Sequence, residues 1–288
     1  MKFPRQASMT FQRAIIWSLF WVGVALLTAL VIWQFLPHGS DGALAFLAGY
    51  LIEESLSIDN LFVFLMLFGY FKVAPSLQRR VLNYGIIGVI ILRGLMIFAG
   101  IGLVNRFEFL MYIFGAIVLY SAFVMFFQKE TAFDAEKSTI VKWTRKFFTV
   151  TTEFHGDKFF IRRAGKLVAT PLFIVLMVVE FTDLLFALDS IPAIFAVTRD
   201  PLIIYSSNIL AVLGLRSMFF LLERMHSAFR FVQKGVAVIL LFVGAKMIAP
   251  LFWKDFHLDT LLSLIIIIGI LLVSIAASLV FPEPKESK

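Results

Sequence analysis

Apolar runs of about 20 residues recur along the whole chain, the length needed to cross a bilayer as a helix. The pattern predicts eight membrane-crossing segments at about 14–36, 41–70, 80–104, 108–128, 167–198, 202–222, 229–250 and 259–281. The expectation is an all-α, polytopic membrane protein. The longest polar stretch, 129–166, separates the fourth segment from the fifth. Within it, Trp143, Phe147 and Phe148 alternate with Lys142, Arg145 and Lys146. That pattern fits a short amphipathic helix over 141–148 on an anionic membrane surface, and equally a solvated basic loop. The first segment follows a basic start, MKFPRQASMTFQR, and is too long for the apolar region of a signal peptide. It reads as an uncleaved first span.

Composition agrees with this class. The chain is 60% hydrophobic and only 16% charged, against about 25% charged for soluble domains. The net charge of +7 comes with no basic–aromatic module for nucleic acid. It reads instead as a bias of cytoplasmic loops. With the N-terminus inside, the outer loops hold only Arg106, Arg199 and Lys254, and the spans hold Arg93, Arg216 and Lys246. The other twenty of the 26 basic residues fall inside. The split predicts cytoplasmic termini. Cysteine is absent, which excludes disulfides and thiolate metal sites. No HExxH or GxSxG motif is present, so an enzyme is not expected. Oligomeric state is not legible.

The chain also repeats itself. GVIILRGLMIF (88–98) aligns with AVLGLRSMFFL (211–221), placing Arg93 opposite Arg216. SLSIDN (55–60) aligns with LFALDS (185–190), placing Asp59 opposite Asp189 and therefore Glu53 opposite Asp183. Repeat A spans 41–128 and repeat B 167–250, flanked by spans 14–36 and 259–281. Each repeat holds three spans, an odd number, so the second enters the membrane inverted. Many secondary transporters share this architecture, with the site at the repeat interface.

Candidate chemistry lies in two acidic segments. GYLIEESLSIDN carries Glu53, Glu54 and Asp59, and VVEFTDLLFALDSIPA carries Glu180, Asp183 and Asp189. Ionised carboxylates at membrane depth are costly and count as functional by default. Six of them against Arg93, Arg216 and Lys246 leave three negative charges if all ionise. A divalent cation and one proton would neutralise that. Further oxygen donors are Ser55, Asn60, Thr182 and Ser190, and no histidine lies in either segment. An all-oxygen set suits Mg²⁺, Ca²⁺ or Mn²⁺ and disfavours Cu⁺ or Zn²⁺. Both acidic spans are about 30 residues long, about 45 Å as straight helices, so they must tilt, protrude or break. Asp183 and Asp189 point about 240° apart on a regular helix, which favours an unwound turn helped by Pro192. The alternative is carboxylates at different heights along one pathway. In the bland reading, Asp59 and Asp189 pair with Arg216 and Arg93 as structural ion pairs. Lys246 is expected to snorkel to the interface.

The chain resembles the TerC/Alx family of bacterial integral membrane proteins. The stretches that carry the resemblance are LAGYLIEESLSIDN, LFVFLMLFGYF, LQRRVLNYGIIGVIILRGLMIF, MYIFGA, VEFTDLLFALDSIPAIFAVTRDP and SNILAVLGLRSMFFLL. The resemblance implies inverted three-helix repeats and Mn²⁺ efflux across the bacterial inner membrane. It places the metal on Glu53, Asp59, Glu180, Asp183 and Asp189, supported by Asn60, Ser190, Arg93 and Arg216. Glu54 falls where a basic residue can occur in that family and is left out of the set. The implied partners are the lipid bilayer and the transported ion, with no cofactor. Two alternatives are export of Ca²⁺ or another divalent ion, and a membrane assembly factor whose acids form structural ion pairs.

Overall fold

The computed structural model describes residues 11–37, 39–127, 139–163, 165–225, 231–253 and 258–281, without the side chains of 59, 139, 216 and 223–225. Long helices cover all eight predicted segments: α1 Phe11–Phe35, α2 Gly39–Tyr70, α3 Pro75–Arg106, α4 Leu110–Phe127, α6 Pro171–Phe195, α7 Pro201–Met225, α8 Val232–Phe252 and α9 Thr260–Val280. Both chain termini lie outside the described residues. Pro75, Pro171 and Pro201 open their helices, where a missing N–H costs nothing.

By length and apolarity α1, α3, α4, α6, α8 and α9 can each cross a membrane. In α7 the purely apolar part is Pro201–Leu215. α2 carries Asp41, Glu53, Glu54 and Asp59 and is enclosed instead by α1, α6, α7, α8 and α9. The outer helices present apolar faces: on α3, Ile87, Ile91, Leu95 and Phe98 form an exposed stripe, while Arg93 on the same helix is buried. That is the reverse of a soluble protein, and lipid is the solvent that such a stripe requires. The molecule is a multi-pass membrane protein.

Contacts between helices follow a regular scheme. α2 packs on α7 as α6 packs on α3, and α2 touches α8 as α6 touches α4. The pairs α2–α6, α3–α7 and α4–α8 also touch. Gly115 and Gly244 let α4 and α8 approach closely: a Cβ on Gly244 would lie 3.1 Å from the Gly115 carbonyl oxygen and 2.8 Å from Leu119. Small residues let such backbones meet in a membrane.

The favoured break does not occur. α2 is helical without interruption from 39 to 70 and α6 from 171 to 195. Pro192 lies in the last turn of α6, where it ends the helix instead of opening it. Hydroxyls expected to face a cation are used locally: Ser55 Oγ donates to the Leu51 carbonyl, and Thr182 Oγ1 donates to the Val178 carbonyl at 2.7 Å. With about 48 Å of helix, unbroken α2 must tilt or protrude.

The polar stretch after α4 is partly folded. The amphipathic segment forms α5, Thr139–Phe147. A hairpin that the hydropathy pattern does not predict follows, β1 Phe160–Arg163 paired antiparallel with β2 Lys166–Ala169. Its turn contains Gly165 at φ +76°, a left-handed conformation that glycine adopts without strain. Phe148 and Phe160 both pack on Phe173 in the first turn of α6, at 5.1 and 4.5 Å between ring centres. Arg80 and Tyr84 near the start of α3 hold the same unit, through Asp157 at 2.5 Å and Phe159 at 5.1 Å.

Candidate functional site

The two acidic segments meet at Arg93. Its guanidinium is buried near the middle of α3, and Asp183 is the central residue of α6. Arg93 Nε and Nη2 donate to the two carboxylate oxygens of Asp183 at 2.9 and 3.0 Å. This is the bidentate fork that guanidinium geometry favours. Arg93 Nη1 donates to Glu53 Oε1 and, at 3.1 Å, to Asn208 Oδ1. Asn208 Nδ2 completes the ring by donating to Glu53 Oε2 at 2.9 Å. Four helices therefore meet in one network, α2 through Glu53, α3 through Arg93, α6 through Asp183 and α7 through Asn208. All four side chains are buried. One guanidinium faces two carboxyl groups, so the network carries a surplus negative charge whenever both ionise.

Helical spacing explains why the other acids stand apart. Glu180, one turn before Asp183, turns toward α3 and lies over Gly85 and Gly88, filling the space where a Cβ on Gly88 would stand. Asp189 faces α4 and accepts a hydrogen bond from Ser121 Oγ at 2.6 Å. It does not pair with Arg93, which Glu53 and Asp183 occupy. From Glu180 to Asp189, α6 rises about 13.5 Å, with Asp183 between them. Glu54 points away from the network, toward Gly214 of α7 and Trp21 of α1. The side chains of Asp59 and Arg216 lie outside the described residues.

Several buried polar atoms flank the network without a hydrogen bond. Ser57 and Asn60 follow Glu53 by four and seven residues, on the same face of α2. Ser57 Oγ and Asn60 Nδ2 have no partner among the described residues. Ser190 Oγ is buried beside Glu53 but outside hydrogen-bonding geometry. Buried polar atoms are ordinarily satisfied, so each of these atoms has capacity for a water or an ion as partner. Among the described residues, no three acidic or histidine side chains are gathered closely enough to cage a metal. Of the five predicted ligands, the four with described side chains divide into the Glu53–Asp183 pair, Glu180 on one side and Asp189 on the other. Beyond Asp189, the end of α6 opens on a cavity of about 530 Å³ whose polar lining includes Glu108, Thr198, Arg199 and Lys246. Lys246 Nζ reaches Ser263 of α9 at 2.8 Å.

Asn208 and Ser121 are not among the site residues expected from the sequence. A lone amide in an apolar span was a usable signal for the first. The second had none, since a serine in a span usually back-bonds to its own helix.

A family model, the integral membrane protein TerC family, matches residues 38–286. The chain belongs to the TerC family. Similar proteins include one provisionally named membrane-bound redox modulator Alx from Salmonella typhi, 44% identical over 98% of this chain and 88% of its own length. The protein of the same name from Escherichia coli K12 is 45% identical over 93% of this chain and 84% of its own length. An uncharacterized membrane protein of Myxococcus xanthus is 42% identical over 96% and 86%. No solved structure matches.

Proposed function

We propose that this TerC-family protein exports a divalent cation, Mn²⁺ in the first instance, across the bacterial inner membrane. The observation that carries the reading is the convergence of Glu53 and Asp183 on buried Arg93. These carboxylates are counterparts in the internal repeat, and they meet at the middle of membrane-spanning helices. The exchange-symmetric packing of α2–α4 and α6–α8 supports two inverted repeats that rock about this point.

In this mechanism Arg93 holds the carboxylates while no ion is bound. A cation entering past Glu180 takes Glu53 and Asp183 from the guanidinium, with Asn60, Ser190 and Asp59 as further oxygen donors. Asp189 and the cavity beyond it form the outward path. A proton released as the metal binds supplies a route to coupling. The termini are cytoplasmic in this arrangement. The contact of Arg80 with Asp157 fits, because it joins two segments that the charge bias assigns to the same side.

A second reading has its own support. The Arg93 fork is geometrically complete, as a purely structural ion pair in an assembly factor would be. Redox work through thiols is excluded in either case, since the chain has no cysteine. The test is flux in proteoliposomes with Mn²⁺ and Ca²⁺ compared, using wild type, Glu53→Gln and Asp183→Asn. The export reading expects Mn²⁺ flux in wild type and its loss in both variants at normal abundance. Wild-type flux of Ca²⁺ alone would move the substrate. Absence of any divalent flux, with the variants merely unstable, would favour the structural reading.

A further inference from the structure

α5 is amphipathic on three sides. Val141 and Thr144 are buried against the protein. Trp143 and Phe147, one turn apart, form an exposed aromatic edge, 64% and 69% accessible, with their rings 5.8 Å apart. Lys142 and Lys146 make a third, exposed edge, and Arg145 is exposed beyond them. Two large aromatic side chains left in water on a short helix are costly.

The height of α5 relative to the membrane is fixed by its attachments. Phe148, directly after the helix, stacks on Phe173 in the first turn of membrane-spanning α6. The hairpin strand that carries Phe160 is pinned to the same ring. Arg80 and Tyr84, in the opening turns of α3, clasp the unit from the other side. Both attachments are at helix beginnings on one face of the bundle, so α5 lies at the level where those helices leave the hydrocarbon. Tryptophan and phenylalanine beside lysine are the composition of a helix lying in the headgroup layer.

We infer that α5 is an interfacial helix that seats Trp143 and Phe147 among the acyl-chain ends and gathers anionic phospholipid around Lys142, Arg145 and Lys146. The positive edge selects anionic over zwitterionic headgroups, at about fivefold per basic residue near the surface. Because the unit is clamped to the starts of α3 and α6, the bilayer surface is thereby tied to the two helices that supply Arg93 and Asp183. This holds whether or not those residues carry an ion.

The test uses the full-length protein in bilayers of mixed phosphatidylcholine and phosphatidylglycerol. Trp17, Trp21, Trp33 and Trp253 are replaced by phenylalanine, leaving Trp143 as the only tryptophan. Brominated lipid of either headgroup is then introduced at the same mole fraction. The inference expects Trp143 fluorescence to be quenched by both, with brominated phosphatidylglycerol about twofold or more the stronger. K142Q/R145Q/K146Q should make the two equal while quenching persists. Equal quenching in the unaltered helix would overturn the selection of anionic lipid. No lipid quenching, with free access of aqueous acrylamide, would overturn the interfacial placement and leave a solvated or protein-binding surface. If the four replacements prevent folding, Phe147→Cys in the otherwise native chain offers a clean label site, since the protein has no other thiol. A nitroxide there should be accessible to oxygen and shielded from a water-soluble nickel chelate, and the reverse would refute the placement.

Discussion

Replacing Arg93 by methionine isolates the energetics of the network. The variant keeps much of the side-chain volume and removes four hydrogen bonds, two to Asp183 and one each to Glu53 and Asn208. Glu53 keeps only the Asn208 amide, and Asp183 loses both of its bonds to arginine. Removing one partner of a buried ion pair costs about 3–5 kcal/mol, because the other partner stays buried and uncompensated. For a chain of this size that corresponds to a fall of roughly 6–20 °C in unfolding midpoint. The triple variant Glu53→Gln, Arg93→Met, Asp183→Asn removes all three formal charges together and should recover most of the loss. The measurement is thermal unfolding of detergent-solubilised protein, followed by intrinsic fluorescence, with and without Mn²⁺. Wild type carries its own guanidinium counter-ion, whereas Arg93→Met exposes both carboxylates to added metal. Mn²⁺ should therefore stabilise Arg93→Met more than wild type, and binding at one site contributes about 2.7 kcal/mol at a hundred times its dissociation constant. A loss under about 1 kcal/mol in Arg93→Met would refute the energetic reasoning. So would a triple variant no more stable than Arg93→Met. If Mn²⁺ stabilised neither Arg93→Met nor wild type, the cation reading of Glu53 and Asp183 would fail.

Gly88→Ala places a methyl where the Glu180 carboxylate now lies, and the flexible end of that side chain can swing aside. The expected result is a large fall in Mn²⁺ flux with little change in unfolding midpoint, and unaltered flux would remove Glu180 from the path. Ser121→Ala deletes the hydrogen bond to Asp189; the expected cost is about 1 kcal/mol of stability, read by denaturant or thermal unfolding, together with slower flux. Gly244→Val would drive a side chain into Leu119 and the Gly115 backbone. It should separate α4 from α8 and cost about 1–3 kcal/mol by overpacking, seen as a lower unfolding midpoint, whereas a neutral result would contradict the close approach. Arg80→Ala should cost well under 1 kcal/mol, because the pair with Asp157 is largely exposed. It should still quicken limited proteolysis between 148 and 160 by loosening the folded unit from α3.

The residues of the site were legible unequally. Glu53 and Asp183 stood out because a carboxylate in an apolar run has no cheap explanation, and the internal repeat alone matches them as counterparts. Arg93 was visible for the same reason. Its partners were not: the bland pairing gave it to Asp189, yet it holds Glu53 and Asp183. The expected unwinding of α6 also proved unnecessary. Asp183 and Asp189 point in different directions on a regular helix, and each has a different neighbour waiting, Arg93 of α3 for one and Ser121 of α4 for the other. The hairpin at 160–169 was missed because two four-residue strands leave little periodicity to read.

Sequence by itself determined the class of this protein, the positions of its helices and the acids that demand a partner. Those follow from local quantities, since the length of an apolar run and the cost of a buried charge are set residue by residue. Only the tertiary structure decided which acid meets which base, that Asn208 closes the ring, and that Glu180 and Asp189 stand apart from Arg93. Those outcomes depend on how each helix is rotated and how deeply it lies against its neighbours. Packing between helices, as at Gly115 and Gly244, contributes to both, and no single helix encodes them.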